Sequence, residues 1–270
     1  MTADQLARRV RLGWILLALA PAVGLGIPLQ WLALRARFGY RRLPLCFHRY
    51  VARVFRVRIR HVGAPATTRP LLIVSNHVSW LDITVLSTGL PVSFIAKSEV
   101  ATWPLFGLFA RLQRSVFVDR AKRSDTGQVN AEIAGRLRAG DPIVLFAEGT
   151  TSDANRVLPF RSALIGAAGA AVAGADGAPV HIQPLAVTYT RRHGLPVTRT
   201  ERPAIAWYGD MDLLPHLADL LCAGPLDVTL SWGEPVSYAA AGDRKAVTRM
   251  AEARIRALDA AARTGRVPAA

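Results

Sequence analysis

The chain of 270 residues is long enough to bury one large core, with room for an appendage. It carries 34 Lys+Arg against 19 Asp+Glu, a formal charge of +15, which attracts nucleic acid, anionic lipid or an acidic carrier protein. A 51% hydrophobic share and a mean hydropathy of +0.23 argue against a soluble nucleic-acid binder and for a membrane surface. Cys46 and Cys222 match no disulfide or zinc spacing, and the histidines are scattered, so a reducing compartment and no metal are expected.

Trp14 to Leu34 holds no charged residue and is about as long as a bilayer-crossing helix. Pro21, Gly24, Gly26 and Pro28 interrupt it. Arg8, Arg9 and Arg11 precede it, and Arg35, Arg37, Arg41 and Arg42 follow. A single span should show a charge asymmetry, whereas basic flanks on both sides suit a hairpin whose arms return to one face. Residues 1–50 are therefore predicted as a two-helix membrane hairpin, roughly Asp4 to Ala20 and Leu29 to Arg49, dipped into one leaflet. No small-x-small site marks a cleaved signal peptide. Burial in the protein's own core is the remaining alternative.

Val57 to Val62 alternates apolar and basic residues, the period of a half-buried strand. Arg56, Arg58 and Arg60 would share a face and, with Arg49 and Arg53, form a cationic strip. Anionic headgroups would gain ~1 kcal/mol per nearby basic residue. A solvated strand face is the plainer reading of any one of them.

From residue 70 onward strands and helices alternate, so residues 51–270 are predicted as one α/β domain. Its sheet should be mostly parallel and twisted, with helices on its flanks. Predicted strands are Leu71–Ser75, Val92–Ala96, Ser115–Val118, Pro142–Phe146, Val180–Thr188, Ala204–Tyr208 and Val228–Trp232. Predicted helices are Leu81–Thr88, Pro104–Leu112, Thr126–Ala139, Arg161–Ala173, Leu213–Cys222 and Arg244–Ala262. The Ala/Gly-rich stretch from Gly166 to Gly177 reads as a tightly packed helix.

Four strand ends carry the informative residues. In Asn76-His-Val-Ser-Trp-Leu-Asp82 an imidazole and a carboxylate stand five positions apart. Within one helix that spacing would turn them about 140° apart. They meet only if His77 lies in the loop and Asp82 at the helix start. Such a pair is a general base with its orienting carboxylate, able to activate a substrate hydroxyl without a nucleophile of its own. A structural histidine beside a helix-N-terminal carboxylate is an equal reading of the pair alone. Phe117-Val-Asp-Arg120 delivers a guanidinium, suited to phosphate or carboxylate, to a strand end. A surface ion pair is the alternative. Phe146-Ala-Glu-Gly-Thr-Thr-Ser152 places Glu148 after an apolar strand, with Gly149 allowing close backbone approach by a ligand; a plain turn with a polar tip competes. Pro184 within Ile182 to Val187 marks a bulge or an edge.

Together these blocks resemble the glycerolipid acyltransferase family, in particular the bacterial 1-acylglycerol-3-phosphate acyltransferases. The resemblance runs from Leu71 to Val187. Its blocks are Asn76, His77 and Asp82; Gly107 with Phe117 to Arg120; Phe146, Glu148, Gly149, Thr150 and Ser152; and Pro184. The resemblance implies His77 as general base and Asp82 as its partner. It implies acceptor binding by Arg120, Glu148, Gly149, Thr150, Lys97 and Asn76. The acyl donor would be acyl-CoA or acyl-ACP, with no tightly bound cofactor. Membrane lipid, and an acyl carrier protein where that is the donor, are the expected partners, not nucleic acid. The place would be the cytoplasmic face of the inner membrane. Ala147 stands where proline is usual, which should loosen the turn. Thr151 stands where arginine is common, leaving Arg161 as a nearby cation. The segment from Ala206 to His216 resembles a subgroup that includes lyso-ornithine lipid acyltransferases. Their acceptor has a carboxylate and an amine but no phosphate ester. The first expectation is acylation of 1-acyl-sn-glycerol-3-phosphate to phosphatidate, with lyso-ornithine lipid as the alternative. A non-catalytic basic membrane module is a third reading. A lipid hydrolase would need a nucleophile, and no G-x-S-x-G is present.

Overall fold

The structure, a computed structural model, describes residues 2–119, 126–166, 180–241 and 243–266. The predicted helix Arg161–Ala173 and the Gly166–Gly177 stretch fall largely outside them; residues 162–166 are helical.

The N-terminal segment departs from the predicted boundaries. Helix α1 runs unbroken over Ala3–Ala36, through Pro21 and Pro28. Thr2 and Gln5 close a capping box at its start. Arg37, left-handed at φ 54°, ends it, and the Phe38 N–H returns to the Ala33 carbonyl. The turn thus lies at residues 37–41, not at Pro21–Pro28, and α2 follows over Arg42–Val54. Docking along its length holds α1 together where two prolines remove N–H groups. Arg8 pairs with Asp219, Tyr50 donates to the Ala18 carbonyl at 2.7 Å, and Gln30 Nε2 donates to the Leu112 carbonyl at 2.9 Å. Much of its surface stays bare: Trp14, Leu16, Leu17 and Leu25 are each about two-thirds exposed. A helix of this length and apolar surface is consistent with membrane association.

Among the described residues the sheet has nine strands: β1 (Val57–Val62), β2 (Leu71–Ser75), β3 (Ser93–Lys97), β4 (Val116–Val118), β5 (Ile143–Phe146), β6 (His181–Arg192), β7 (Leu195–Pro196), β8 (Leu226–Trp232) and β9 (Val236–Ser237). Their order is β1-β8-β6-β2-β5-β3-β4, with β7 and β9 also on β6. Strands β6, β2, β5, β3 and β4 run parallel, while β8 and β1 run the other way. Consecutive side chains of β2 enter opposite cores. Leu71 and Ile73 pack with Val85 and Leu86 of α3 (Leu81–Leu86) and with Val51 of α2. Leu72 and Val74 pack with Ile133 and Leu137 of α5 (Thr126–Arg138) and with Val247, Ala251 and Ile255 of the last helix, Arg244–Thr264. Helix α4 (Phe106–Leu112) leads into β4, and α6 (Leu213–Cys222) lies against α1, leaving Arg244–Thr264 as α7.

Among the local expectations, Ala204–Tyr208 is corrected: it is not a strand. A 3-10 turn at Arg202–Ala204 leads into Ile205 and Ala206, both buried, and the Trp207 N–H then bonds the Val78 carbonyl at 3.0 Å. The apolar run is an anchor beneath the His77 loop. Pro184 sits in the interior strand β6, paired with Val74 of β2 on one side; on the other it faces a break in the ladder where residues 183–184 oppose 233–235, the kind of irregularity expected of a proline. Its carbonyl accepts from Gly233 at 2.8 Å, in the gap between β8 and β9, where the ladder asks for no donor. In β1, Arg58 and Arg60 share the exposed face, and Arg58 pairs with Asp227 at 2.6 Å. Arg56 stands before the strand at φ 57°, outside its alternation.

Candidate active site

The ends of the parallel strands set the site. Ser75 of β2 is level with Phe146 of β5, so His77 and Glu148 both lie two residues past the same rung. The loop 76–80 carries His77, and Asp82 is the second residue of α3. His77 Nδ1 meets Asp82 Oδ2 at 2.8 Å. The same oxygen accepts the N–H groups of Val78 and Ser79 at 2.7 and 3.0 Å, and Oδ1 accepts the Tyr189 hydroxyl at 2.7 Å. Asp82 is fully buried. With Nδ1–H given to this carboxylate, the imidazole keeps its Nε2 lone pair free. The ring stacks on Phe146 at 3.9 Å between centroids, and Phe146 stacks in turn on Phe94.

Glu148 is also buried, and both its oxygens are used. Oε1 accepts from the His77 backbone N–H at 2.9 Å and Oε2 from that of Leu158 at 3.0 Å. Burial pushes its carboxyl up to about 7, against the pull of those two N–H groups. Asn76 clamps β6: its amide donates to the Val187 carbonyl at 3.0 Å and accepts the Val187 N–H at 2.8 Å. Both side chains stand behind the His77 loop, not on the wall of the cleft in front of it. Buried and bonded to backbone, they hold the loop.

The cleft has a volume of about 1400 Å³. Its floor includes His77, Phe146, Gly149, Thr150 and Thr151; α1, α2 and α4 supply long apolar walls. Gly149 turns at φ 73°, a conformation that favours glycine. Lys97, exposed at the end of β3, lines the mouth. Arg120 lies outside the described residues. Ala147 does not loosen its turn, because its N–H bonds the Ser75 carbonyl at 3.2 Å, which a proline could not do. Thr151 puts a hydroxyl on the cleft wall where a cation was absent by sequence, and Arg161 is exposed and not part of that wall. Tyr189 escaped the sequence reading. It lies 107 positions from Asp82, and a tyrosine ending an apolar strand reads as core. The alternation Leu185, Val187, Tyr189 along β6 was the signal available.

A buried carboxylate that orients an imidazole, on the floor of a long apolar cleft, suits activation of a hydroxyl on a substrate with a hydrocarbon chain. The acyltransferase family profile matches residues 56–188. A lyso-ornithine lipid O-acyltransferase of Brucella abortus is 55% identical over 256 residues, 93% of this chain and 96% of that one. A 1-acyl-sn-glycerol-3-phosphate acyltransferase of Neisseria gonorrhoeae is 33% identical over 73% of each chain. The crystal structure of the 1-acyl-sn-glycerophosphate acyltransferase of Thermotoga maritima shares the fold, with a TM-score of 0.67, 19% identity and 99% of both chains covered. The chain belongs to the acyltransferase family and is an enzyme of O-acyl transfer, which removes the reading as a non-catalytic membrane module.

Proposed function

We propose that this enzyme moves an acyl chain from an acyl thioester, acyl-CoA or acyl-ACP, to the free hydroxyl of a lysolipid, and that lyso-ornithine lipid is its acceptor. The observation that carries the chemistry is the 2.8 Å bond to buried Asp82 from His77, which lines the floor of the cleft. His77 Nε2 takes the acceptor's hydroxyl proton as its oxygen attacks the thioester carbonyl. The new C–O bond forms, the C–S bond breaks, and the imidazolium returns the proton to the leaving thiolate. Asp82 holds the ring's tautomer and stabilises its positive form. No acyl-enzyme is formed. The apolar walls receive hydrocarbon, and α1 lies on the membrane, with the catalytic domain on its cytoplasmic face.

The Brucella relative, at 55% identity, supports lyso-ornithine lipid as acceptor. Thr151 supports it too, since a phosphate ester would gain from a cation there. The phosphate acceptor, the first expectation from sequence, is kept as a second reading because Lys97 lines the cleft and the Neisseria relative is named for that acceptor. Purified protein supplied with a labelled acyl thioester and both acceptors decides between them. Preferred transfer to lyso-ornithine lipid is expected, with His77→Ala slower by roughly 100-fold or more. An undiminished rate in that variant would remove the base mechanism. Preference for 1-acylglycerol 3-phosphate would exchange the acceptor.

A further inference from the structure

We propose that Glu99, working with Lys97, selects a zwitterionic head group: Glu99 takes an ammonium and Lys97 the carboxylate of one amino-acid lipid acceptor. The inference rests on lyso-ornithine lipid being the acceptor and names the part of the site that reads its head.

Among the described residues lining the cleft, Glu99 is the one carboxylate, and Lys97 is the one cation other than histidine. They stand two positions apart, where β3 ends and a 3-10 turn over Ser98–Thr102 begins. Both are exposed at the mouth. Neither has an ion-pair partner among the described residues; the Glu99 contact is the Ser98 hydroxyl at 3.4 Å. A strand–turn junction thus holds two opposite charges beside a wall that is otherwise apolar.

Register places this pair near the reacting centre. Phe94 of β3 is level with Val144 of β5, so Lys97 is about level with Ala147, one residue past Phe146, on which His77 stacks. The 3-10 turn that follows β3 then holds Glu99 on the lining of the same cleft as His77. An acceptor whose hydroxyl lies at His77 and whose chain enters the cleft has its head at the cleft mouth.

The two candidate acceptors differ in the charges they bring there. A phosphate ester is anionic throughout: Lys97 would attract it and Glu99 would repel it. A head with a free carboxylate and a free ammonium satisfies both residues. Glu99 thus supplies attraction for the amino-acid lipid and a penalty for the phosphate lipid, the two-sided arrangement that selective sites use.

The test crosses protein with ligand. Wild type, Glu99→Gln and Glu99→Lys are assayed with lyso-ornithine lipid, with the same lipid N-acetylated on its side-chain amine, and with 1-acylglycerol 3-phosphate. Glu99→Gln should lower kcat/KM on lyso-ornithine lipid about tenfold, chiefly through KM, by losing a hydrogen bond to a charged group. It should make the enzyme indifferent to N-acetylation, which slows wild type by a similar factor. Glu99→Lys should raise activity on the phosphate acceptor, an outcome that also shows the variant is folded. If the Glu99→Gln and N-acetyl effects multiply as independent changes, Glu99 does not touch the ammonium and the inference falls while the proposed function stands. A wild type that acylates only the phosphate lipid overturns both.

Discussion

Asp82 accepts four hydrogen bonds without any contact with water, and one of them comes from a strand far away in the chain. Three reach Oδ2, and the Tyr189 hydroxyl alone reaches Oδ1. Burial, then the nearby carboxylate, pushes the Tyr189 phenol well up, so it stays a donor at any assay pH. Tyr189→Phe leaves a buried carboxylate oxygen unpaired, which costs about 1–3 kcal/mol by denaturant unfolding. The same change leaves Oδ1 of Asp82 without its hydroxyl partner and the carboxylate less firmly held against Nδ1–H, so kcat should fall while acceptor KM stays near its value. A variant as stable as wild type, with an unchanged kcat, would remove Tyr189 from the dyad. Glu148 gives a second test. Its folded value of about 7 exceeds the ordinary 4.5, so the folded chain holds this proton more tightly than the unfolded one. Its contribution to stability is whole below about pH 4.5 and is lost as pH rises through about 7. Against Glu148→Gln, wild type should lose stability across that window by at most about 1.4 kcal/mol per pH unit. Melting curves whose difference stays flat from pH 4.5 to 7 would contradict this. The His77–Asp82 pair was legible because strand, loop and helix start are written within one short stretch. The work of Tyr189, Glu148 and Asn76 was not, since each acts on a backbone or side chain brought near only by the sheet.

Element boundaries followed the sequence where chain stiffness or capping decides them and departed from it where docking does. Alternation and apolar runs located β2, β5, β8 and α6 to within a residue or two. Pro21 and Pro28 looked like a break, but α1 is tied to α6, Tyr50 and Leu112, and those contacts outweigh the lost backbone bonds. Ile205 and Ala206 looked like strand because burial and β structure leave the same short apolar signature. Gly107 shows an element demand that sequence could only suggest. A Cβ there would stand 2.5 Å from the Ala101 carbonyl oxygen and 2.9 Å from that of Val100. Both belong to the 3-10 turn that also carries Glu99. Gly107→Ala must therefore push α4 away from that turn, at a cost of about 1–3 kcal/mol. The turn lines the cleft mouth, so acceptor KM should rise more than kcat falls. A variant with wild-type melting temperature and KM would mean the contact relaxes without reaching the mouth.

On the scale of the whole molecule, a charge of +15 and a bare apolar helix offer two separable means of holding a membrane. Not all of the charge is available. Arg41 and Arg114 share Asp141, Arg58 holds Asp227, Arg263 holds Asp259, and Arg49 donates to the Thr88 carbonyl. Arg53, Arg56 and Arg60 remain exposed near the start of the sheet, where they can meet anionic headgroups. Exposed charges act over about 10 Å in 0.1 M salt and about 3 Å in 1 M salt, so their share of binding should vanish with added salt. The share carried by Leu16, Leu17 and Leu25 should not, because burial of apolar surface needs no counter-ion. Flotation with vesicles separates the two. Binding to anionic vesicles should weaken as salt rises and level off at the value measured on neutral vesicles. The double variant Leu17→Asp, Leu25→Asp should lose that plateau, since each acidic residue at a helix centre costs about 3 kcal/mol to insert. Both leucines are about two-thirds exposed, so the variant should keep its melting temperature and its low-salt binding to anionic vesicles. If the plateau survives the two substitutions, α1 holds the membrane by another face or not at all, and the cleft it roofs must receive its lipid from elsewhere.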